Sequence, residues 1–151
     1  MSSDLSELYQ QVIIDHSRHP RNFGRLGDAT RTVEGVNPLC GDQVTLYLKL
    51  LDDRIDDISF EGVGCAISMA SASLMTSAVK GKRCDEALAL FGPVRAMLTE
   101  SPGNEVATAE LGKLAALSGV WAFPMRVKCA TLVWHALDSA LEEKTEMVSS
   151  E

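Results

Sequence analysis

The 151-residue chain contains no long apolar run, and none of its runs reaches the roughly 18 to 20 residues that a membrane-spanning helix needs. Its first twenty residues also lack a basic stretch followed by an apolar one, which is the pattern of a secretory signal. We therefore expect a soluble, cytoplasmic protein that has no membrane partner.

Positive charge is also sparse, with 14 Lys and Arg against 21 Asp and Glu and a net charge of -7. A protein that binds nucleic acid through its phosphates needs clustered basic residues, whereas the Lys and Arg here are scattered along the chain. The composition argues against nucleic-acid binding and favours protein or small-molecule partners.

Cysteine is scarce, with four residues, and no local pair of them has the spacing of a zinc finger. With 46% hydrophobic residues the chain is long enough to bury one core without disulfides. We expect a single domain over residues 1–151 with a frayed polar tail at about 143–151. In a reducing cytosol the four cysteines are expected to be thiols or metal ligands.

Hydrophobic periodicity predicts an amphipathic helix over residues 4–17 and a three-stranded antiparallel meander over residues 30–62, with a turn at 52–54. Four further helices are predicted: residues 66–79, residues 85–98 interrupted at Gly92 and Pro93, residues 105–117, and one that begins at Pro124.

Three cysteines and one aspartate suggest a metal site. Cys40 lies in NPLCGD together with Asp42, Cys65 lies in GVGCAIS, and Cys129 lies in FPMRVKCA. Thiolates and a carboxylate are suitable donors for a tetrahedral zinc or ferrous ion. The four residues are far apart along the chain, so the site exists only if folding brings the segments together. Cys65 precedes a predicted helix, whose dipole and free amides would stabilise a thiolate.

Each of these residues also has a purely structural interpretation. A buried cysteine is often a small core residue, and Asp42 after Gly41 could be a turn aspartate that bonds its own backbone. Cys84 has no second donor nearby, so we assign it a structural role.

The three histidines give weaker signals. His16 and His19 flank the end of the first helix, where capping of its carbonyls is a better interpretation than metal ligation. His135 follows Cys129 by six residues, so on a helix it points away from that thiol. A Cys-His hydrolase is therefore poorly supported.

Residues 37–42, 62–75 and 123–134, with LYQQVIIDHSRHPRNFG near the N-terminus, closely resemble the IscU/NifU-N-like iron–sulfur cluster assembly family, and specifically its SufU branch. The resemblance implies an α+β, IscU-like fold, in which five to six helices pack on a three-stranded antiparallel sheet and a metal site lies at one exposed end. The family's ligands fall on the four residues singled out above: Cys40, Asp42, Cys65 and Cys129.

The SufU resemblance implies a zinc-dependent sulfurtransferase, an enzyme that accepts persulfide sulfur from a PLP-dependent cysteine desulfurase of the SufS type and supplies downstream iron–sulfur assembly proteins. Within that reaction it implies that Cys40 is the persulfide acceptor and Asp42 an exchangeable ligand. Two departures from IscU scaffolds favour this branch. Lys128 stands where those scaffolds have histidine, and the segment over residues 92–119 is longer.

Two further interpretations stay open. The main alternative is a non-enzymatic scaffold that assembles a transient 2Fe–2S cluster on the same four ligands, and a purely structural zinc domain is the weakest. Arg126 and Lys128 flank the third motif, where they could stabilise a thiolate or persulfide anion or could be ordinary solvated charges.

Overall fold

The computed structural model describes residues 2–37, 41–99, 111–142 and 148–149. Its elements in chain order are α1 (Ser2–Arg18), β1 (Arg31–Asn37), β2 (Asp42–Leu51), β3 (Arg54–Val63), α2 (Ala66–Val79), α3 (Cys84–Thr99), a 3₁₀ helix (Gly112–Ala122), α4 (Pro124–Leu141) and β4 (Val148–Ser149). None of the helices in the described residues is both long enough and apolar enough to cross a membrane.

The sheet has the predicted antiparallel meander at its centre, in the order β3-β2-β1-β4. Alternate residues of β2 are buried, as the period-two pattern of its sequence predicts. The short strand β4 adds to the meander and pairs in parallel with β1 at Gly35 and Val36. The tail was expected to fray from about residue 143, but Val148–Ser149 lie in the sheet, and residues 143–147 and 150–151 lie outside the described residues.

A two-residue turn joins β2 to β3, where the sequence predicted one. Asp52 and Asp53 have φ angles of 51° and 64°, and Leu51 pairs with Arg54. Two consecutive positive φ angles define a type I′ turn, whose twist matches that of the strands, and aspartate tolerates this conformation better than most residues.

The prediction for residues 85–98 was wrong in one respect, because α3 is a continuous helix with Pro93 inside it. A proline restricts the residue before it largely through that residue's Cβ, and the preceding residue here is glycine. Val94 and Leu98, beyond the proline, are fully buried. Packing of the second half of the helix therefore outweighs the hydrogen bond that the proline removes.

The helix predicted over residues 105–117 differs as well. Residues 105–110 lie outside the described residues, and Gly112–Ala122 form a 3₁₀ helix rather than an α-helix. The buried residues Leu114 and Leu117 are spaced three apart, which matches the three-residue turn of a 3₁₀ helix.

Helices α2 and α4 pack closely and lie next to the sheet. Their contact faces contain small residues, and Ser71 Oγ donates a hydrogen bond of 2.6 Å to the carbonyl oxygen of Ala130. A Cβ atom at Gly35 of β1 would lie 3.1 Å from Leu132 of α4, so the helix packs directly on the strand. This packing brings the beginnings of both helices to the end of the sheet where β1 turns into β2.

Helix α1 is held to α2 by a group of polar residues that we call the α1–α2 junction: His16, Arg21, Asn22, Ser73 and Thr76. His16 Nδ1 lies 2.7 Å from Ser73 Oγ, which also accepts a 2.8 Å hydrogen bond from the main-chain N–H of Arg21. His16 is 4% exposed, so its main role is this tertiary contact rather than the predicted capping of α1.

The segment after α1 binds the outer side of β3. The N–H of Phe60 donates to the carbonyl oxygen of Asn22, and the N–H of Gly24 donates to the carbonyl oxygen of Phe60, at 2.9 and 2.8 Å. The rings of Phe23 and Phe60 meet edge to face with centroids 5.2 Å apart. Main-chain hydrogen bonds thus fasten this segment to the middle of the strand.

Candidate metal centre

Asp42 is the first residue of β2, and its carboxylate is buried at 2% exposure. Its Oδ1 accepts a hydrogen bond of 3.1 Å from the main-chain N–H of Cys65, a residue 23 positions away. Asp42 therefore joins β2 to the start of α2. This contact differs from that of a turn aspartate that bonds its own backbone, which was the structural alternative.

Cys65 is the N-cap residue of α2, as its position before the helix predicted. Its Sγ accepts a hydrogen bond of 3.4 Å from the main-chain N–H of Ser68, and it lies 4.0 Å from Asp42 Oδ2. Gly64 before it allows the close approach, since a Cβ atom there would lie 2.8 Å from Asp42 Oδ1. The residue is exposed, so its sulfur is accessible from outside.

Cys129 lies one and a half turns into α4 and is buried at 3% exposure. The side-chain amide of Asn37, the last residue of β1, donates towards its Sγ over 3.9 Å. Asn37 is fully buried, and it pairs across the hairpin with Asp42. The buried thiol and the carboxylate are thus connected through the end of the β1–β2 hairpin.

Three of the four predicted ligands converge. One ligand atom each from Asp42, Cys65 and Cys129 lies within 4.8 Å of the other two. With zinc–sulfur bonds of about 2.3 Å, two sulfurs on a tetrahedral ion lie roughly 3.8 Å apart, so this group fits such an ion with little contraction. Cys40, the fourth predicted ligand, lies outside the described residues.

The polar residues around this group form what we call the metal-centre cluster: Asn37, Asp42, Cys65, Ser68 and Cys129. Each of the three ligand side chains in it accepts or faces one N–H donor. Such outer partners orient metal ligands and fix their hydrogen bonding. Sequence reasoning missed Asn37 and Ser68, although Asn37 opens the NPLCGD motif and Ser68 lies three residues after Cys65, where an N-cap side chain finds its donor.

A mostly apolar cavity of about 440 Å³ adjoins the two cysteines, and it is lined by Cys65, Ala66, Ile67, Met125, Arg126 and Cys129. Of the two predicted anion-stabilising residues, Arg126 lines this cavity, and its guanidinium also lies 4.6 Å from the ring centre of Phe123. Lys128 is half-buried on α4 and does not line the cavity.

Hydrophobic side chains are exposed around the same end of the molecule. Val63, Phe123 and Met125 expose 65%, 50% and 46% of their surface. Val63 ends β3 two residues before Cys65, and Phe123 and Met125 lie at the start of α4, the helix that carries Cys129. Exposed apolar groups beside a functional site are typical of a surface that contacts another protein.

Cys84 and His135 stay apart from this group, as the sequence predicted. The N–H of Cys84 donates to the carbonyl oxygen of Asp53 at the far end of the β2–β3 hairpin, and burial raises the pKa of its thiol. His135 packs edge to face on Phe91, and burial lowers the pKa of its imidazole. Neither residue is in the one cluster of candidate ligands found among the described residues.

The fold and the site together define a class of protein. A three-stranded antiparallel meander backed by helices, with thiols and a carboxylate gathered where the hairpin meets two helix starts, is the IscU-like α+β arrangement of iron–sulfur cluster assembly proteins. The chain belongs to the family of the NifU-like N-terminal domain, whose family model matches residues 8–130.

Individual relatives cover nearly the whole chain. The zinc-dependent sulfurtransferase SufU of Bacillus subtilis is 44% identical over 143 residues, which are 95% of each chain. The iron–sulfur cluster assembly scaffold protein IscU of Streptococcus pyogenes is 46% identical over 142 residues, covering 93% of this chain and 86% of the relative. Both branches named in the resemblance are therefore represented among close relatives.

A solved structure supports the fold. The crystal structure of a putative iron–sulfur cluster assembly scaffold protein for the SUF system from Fervidobacterium islandicum superposes with a TM-score of 0.79 at 38% identity, covering 87% of this chain and 94% of that one. The predicted α+β, IscU-like fold is confirmed, and the chain is an IscU- and SufU-like protein of iron–sulfur cluster assembly.

Proposed function

We propose that the protein is a zinc-dependent sulfurtransferase that accepts persulfide sulfur from a PLP-dependent cysteine desulfurase of the SufS type. The observation that carries this proposal is the convergence of Asp42, Cys65 and Cys129 within 4.8 Å, at the place where the NPLCGD motif ends. The zinc-dependent SufU relative, which covers 95% of the chain, supports the choice of metal and reaction.

The donor set suits zinc, with Cys40 as the proposed fourth ligand. Cys40 precedes Asp42 by two residues, so consecutive Cα spacings of 3.8 Å keep its Cα within about 8 Å of the Asp42 Cα. When bound, zinc supplies charge that keeps the thiolates deprotonated, without any redox chemistry of its own. The carboxylate of Asp42 is the hardest donor of the four, which makes it the ligand that exchanges most readily.

Cys40 is the proposed acceptor of the sulfur. Its thiolate attacks the outer sulfur of the desulfurase persulfide and forms a new S–S bond, while the old S–S bond breaks and its electron pair leaves with the desulfurase cysteine as a thiolate. The proton of the persulfide stays on the transferred sulfur, so no electrons are gained or lost overall. Cys65 and Cys129 are held on helices and stay in place as ligands.

Arg126 is the proposed partner of the anion at the site. Its guanidinium lies over Phe123 at the wall of the cavity next to the two cysteines, where a positive charge would stabilise a thiolate or persulfide. Lys128 has a weaker claim to this role because it does not line the cavity.

The partners follow from the same proposal. The desulfurase would dock over the exposed Val63, Phe123 and Met125, because its persulfide must reach the cavity beside Cys65. The sulfur would pass on to downstream iron–sulfur assembly proteins, and the reaction would take place in the cytoplasm. We propose one domain over residues 1–151 as the acting unit.

The test is alanine production by a SufS-type desulfurase with and without the zinc-loaded protein. Strong stimulation that disappears with Cys40→Ala, but not with Cys84→Ala, is the expected result. A mass increase of one sulfur atom on Cys40 after a single turnover would identify the acceptor directly. Equal stimulation by the Cys40→Ala variant would contradict the proposal.

A non-enzymatic scaffold is the second candidate, and the IscU scaffold relative at 46% identity is the observation that favours it. Thiolate ligands suit a transient 2Fe–2S cluster as well as zinc. Failure to stimulate the desulfurase, together with a visible-absorbing cluster after anaerobic addition of iron and sulfide, would support this function instead.

A further inference from the structure

Asn37 has an unusual place for an asparagine. It is the last residue of β1, it is fully buried, and its side chain lies between the hairpin that carries Asp42 and the helix that carries Cys129. Asparagine is disfavoured in strands, and a buried amide that is not fully hydrogen-bonded lowers the free energy of unfolding by about 1–3 kcal/mol. Because the buried side chain of Asn37 lowers stability, we look for a functional reason for its position.

The side-chain amide of Asn37 contacts the site through its donor end. Nδ2 faces Cys129 Sγ over 3.9 Å, whereas Oδ1 has no hydrogen-bond partner among the described residues. A cysteine sulfur bound to a metal has lost its proton and can only accept hydrogen bonds. An amide next to such a sulfur must therefore present its NH₂ group, which is the orientation seen here.

The main chain of Asn37 is joined to the other side of the site. Its carbonyl oxygen accepts a hydrogen bond of 2.9 Å from the N–H of Gly41, and it is paired in register with Asp42. Residues 37 and 41 thus close the ends of the connection that contains Cys40. Asn37 therefore contacts Cys129 through its side chain, and Gly41 and Asp42 through its main chain.

We propose that Asn37 is a positioning residue whose side-chain N–H donates to the thiolate of Cys129. This hydrogen bond keeps the Cys129 sulfur in place as a metal ligand that does not act as the nucleophile. The inference rests on the metal site of the proposed function. Three thiolates and one carboxylate around a divalent ion leave an excess of negative charge, and a hydrogen bond to one sulfur disperses part of it. The same bond withdraws electron density from Cys129, so Cys129 is less nucleophilic than Cys40.

The two ligand sulfurs in the described residues differ in a way that makes this testable. Cys65 receives its N–H from the main chain of Ser68, which no substitution except proline removes. Cys129 receives its N–H from a side chain, which a substitution can remove or invert. Outer-shell partners of this kind typically change metal affinity by about 10- to 100-fold.

The experiment compares Asn37→Ala, which removes the donor and most of the side chain, with Asn37→Leu, which removes the donor but keeps the size of the side chain. Ser71→Ala is the matched control, because it removes a buried hydrogen bond between α2 and α4 without touching a sulfur. Zinc affinity is measured by competition with a chromogenic chelator. The sulfur-to-cobalt charge-transfer band of the Co²⁺-loaded proteins reports the electron density on the ligand sulfurs. Circular dichroism establishes that each variant is folded.

We expect zinc affinity to fall about 10- to 100-fold in both Asn37→Ala and Asn37→Leu, and to stay within about threefold in Ser71→Ala. The charge-transfer band should move to lower energy in both Asn37 variants and keep its native position in Ser71→Ala. Equal bands and affinities in the native protein and Asn37→Ala would overturn the inference, as would a native chain that binds neither ion. If Asn37→Ala does not fold, the Asn37→Leu variant decides: a band at lower energy supports the donor role, whereas a native band contradicts it.

These outcomes are separable from the proposed function. A native protein that fails to stimulate the desulfurase, yet shows the Asn37 effects on affinity and spectrum, would contradict sulfur transfer and leave the role of Asn37 intact. A native protein that stimulates the desulfurase, together with an Asn37→Ala variant whose spectrum is unchanged, would support sulfur transfer and contradict the role of Asn37.

Discussion

Two polar clusters in this molecule, the α1–α2 junction and the metal-centre cluster, are built differently. In the α1–α2 junction the hydrogen bonds join nitrogen and oxygen groups over 2.7 to 3.5 Å, and the shortest are the two at Ser73, at 2.7 and 2.8 Å. In the metal-centre cluster the contacts are longer, from 3.1 to 4.0 Å, and Asn37 Oδ1 has no partner among the described residues.

The difference separates a structural cluster from a chemical one. Thiols are weak hydrogen-bonding groups, so polar groups gathered around them gain little stability in return for their burial. In the α1–α2 junction, hydrogen bonds within the protein offset the cost of removing polar groups from water. In the metal-centre cluster, the N–H donors instead surround sulfur and oxygen atoms that suit a cation. Four substitutions, taken from the largest expected effect to the smallest, test this comparison.

Cys129→Ala should weaken zinc binding most. Structural zinc sites are worth roughly 10–16 kcal/mol in total, so loss of one of four ligands is expected to cost about 3 kcal/mol, or on the order of 100-fold in affinity. Chelator competition measures it. Cys84→Ala is the matched control at a cysteine outside the cluster and should bind zinc like the native protein. Similar losses in both variants would show that cysteine content, not the cluster, determines the affinity.

Ser73→Ala should lower the free energy of unfolding by about 2 kcal/mol, because the buried His16 Nδ1 and the partly buried N–H of Arg21 both lose their partner. Urea denaturation measures this change. Ser77→Ala on the exposed face of the same helix should change it by less than about 0.5 kcal/mol. Zinc affinity should stay native in both variants, and a large fall in Ser73→Ala would mean that the two clusters are coupled.

Gly64→Ala should weaken zinc binding by roughly tenfold, about 1.4 kcal/mol, because the new Cβ would lie 2.8 Å from Asp42 Oδ1 and displace the carboxylate. Chelator competition is again the measurement. Gly27→Ala is the control, since a Cβ there has nothing within 4 Å. Native affinity in Gly64→Ala would show that Asp42 does not need its observed position.

His16→Gln should flatten the pH dependence of stability. Burial, with Arg21 and Lys113 nearby, holds the pKa of His16 below its ordinary value of 6.5, and Asp15 opposes this only in part. The unfolded chain therefore binds a proton that the folded protein does not. The stability that His16 contributes is present above about pH 6.5 and is lost as the pH falls below it.

Between pH 7.5 and 5.5 the native protein should lose more stability than His16→Gln, measured by urea denaturation in the same metal state. Groups common to both proteins, including the buried His135, cancel in this difference. An identical loss in the two proteins would show that His16 does not titrate differently on folding.

The meander was predictable because the signal for β2 lies within the strand itself. Apolar and polar residues alternate from Val44 to Leu50, and this alternation indicates which side chains are buried. The sequence predicted the turn at residues 52–54 for the same reason. The interruption at Pro93 was wrong because the burial of Val94 and Leu98 depends on packing partners that the segment itself does not contain. The local sequence was therefore sufficient to predict those elements whose structure is decided by interactions between neighbouring residues.

The candidate site was predicted from the sequence in a different way from the fold. No spacing along the chain places Cys65 next to Cys129, so its ligands were assembled by donor chemistry and by resemblance to a family. The contacts that complete the site were missed, because Asn37 meets Cys129 across 92 residues of sequence. His16 was likewise misjudged, since its partner Ser73 lies 57 residues away. A contact between two polar residues far apart along the chain leaves no periodic pattern in the sequence, so it cannot be predicted from such a pattern.

The fastening of residues 22–24 to Phe60 has a consequence for assembly. A sheet whose outer strands offer long rows of unpaired main-chain groups invites edge-to-edge aggregation and strand exchange. Here the middle of β3 is already hydrogen-bonded to Asn22 and Gly24, and β4 occupies β1 at Gly35 and Val36. At these positions another polypeptide cannot extend the sheet. A protein that docks at these positions therefore does so through side chains, as it would on the helix-and-loop surface where Asp42, Cys65 and Cys129 converge.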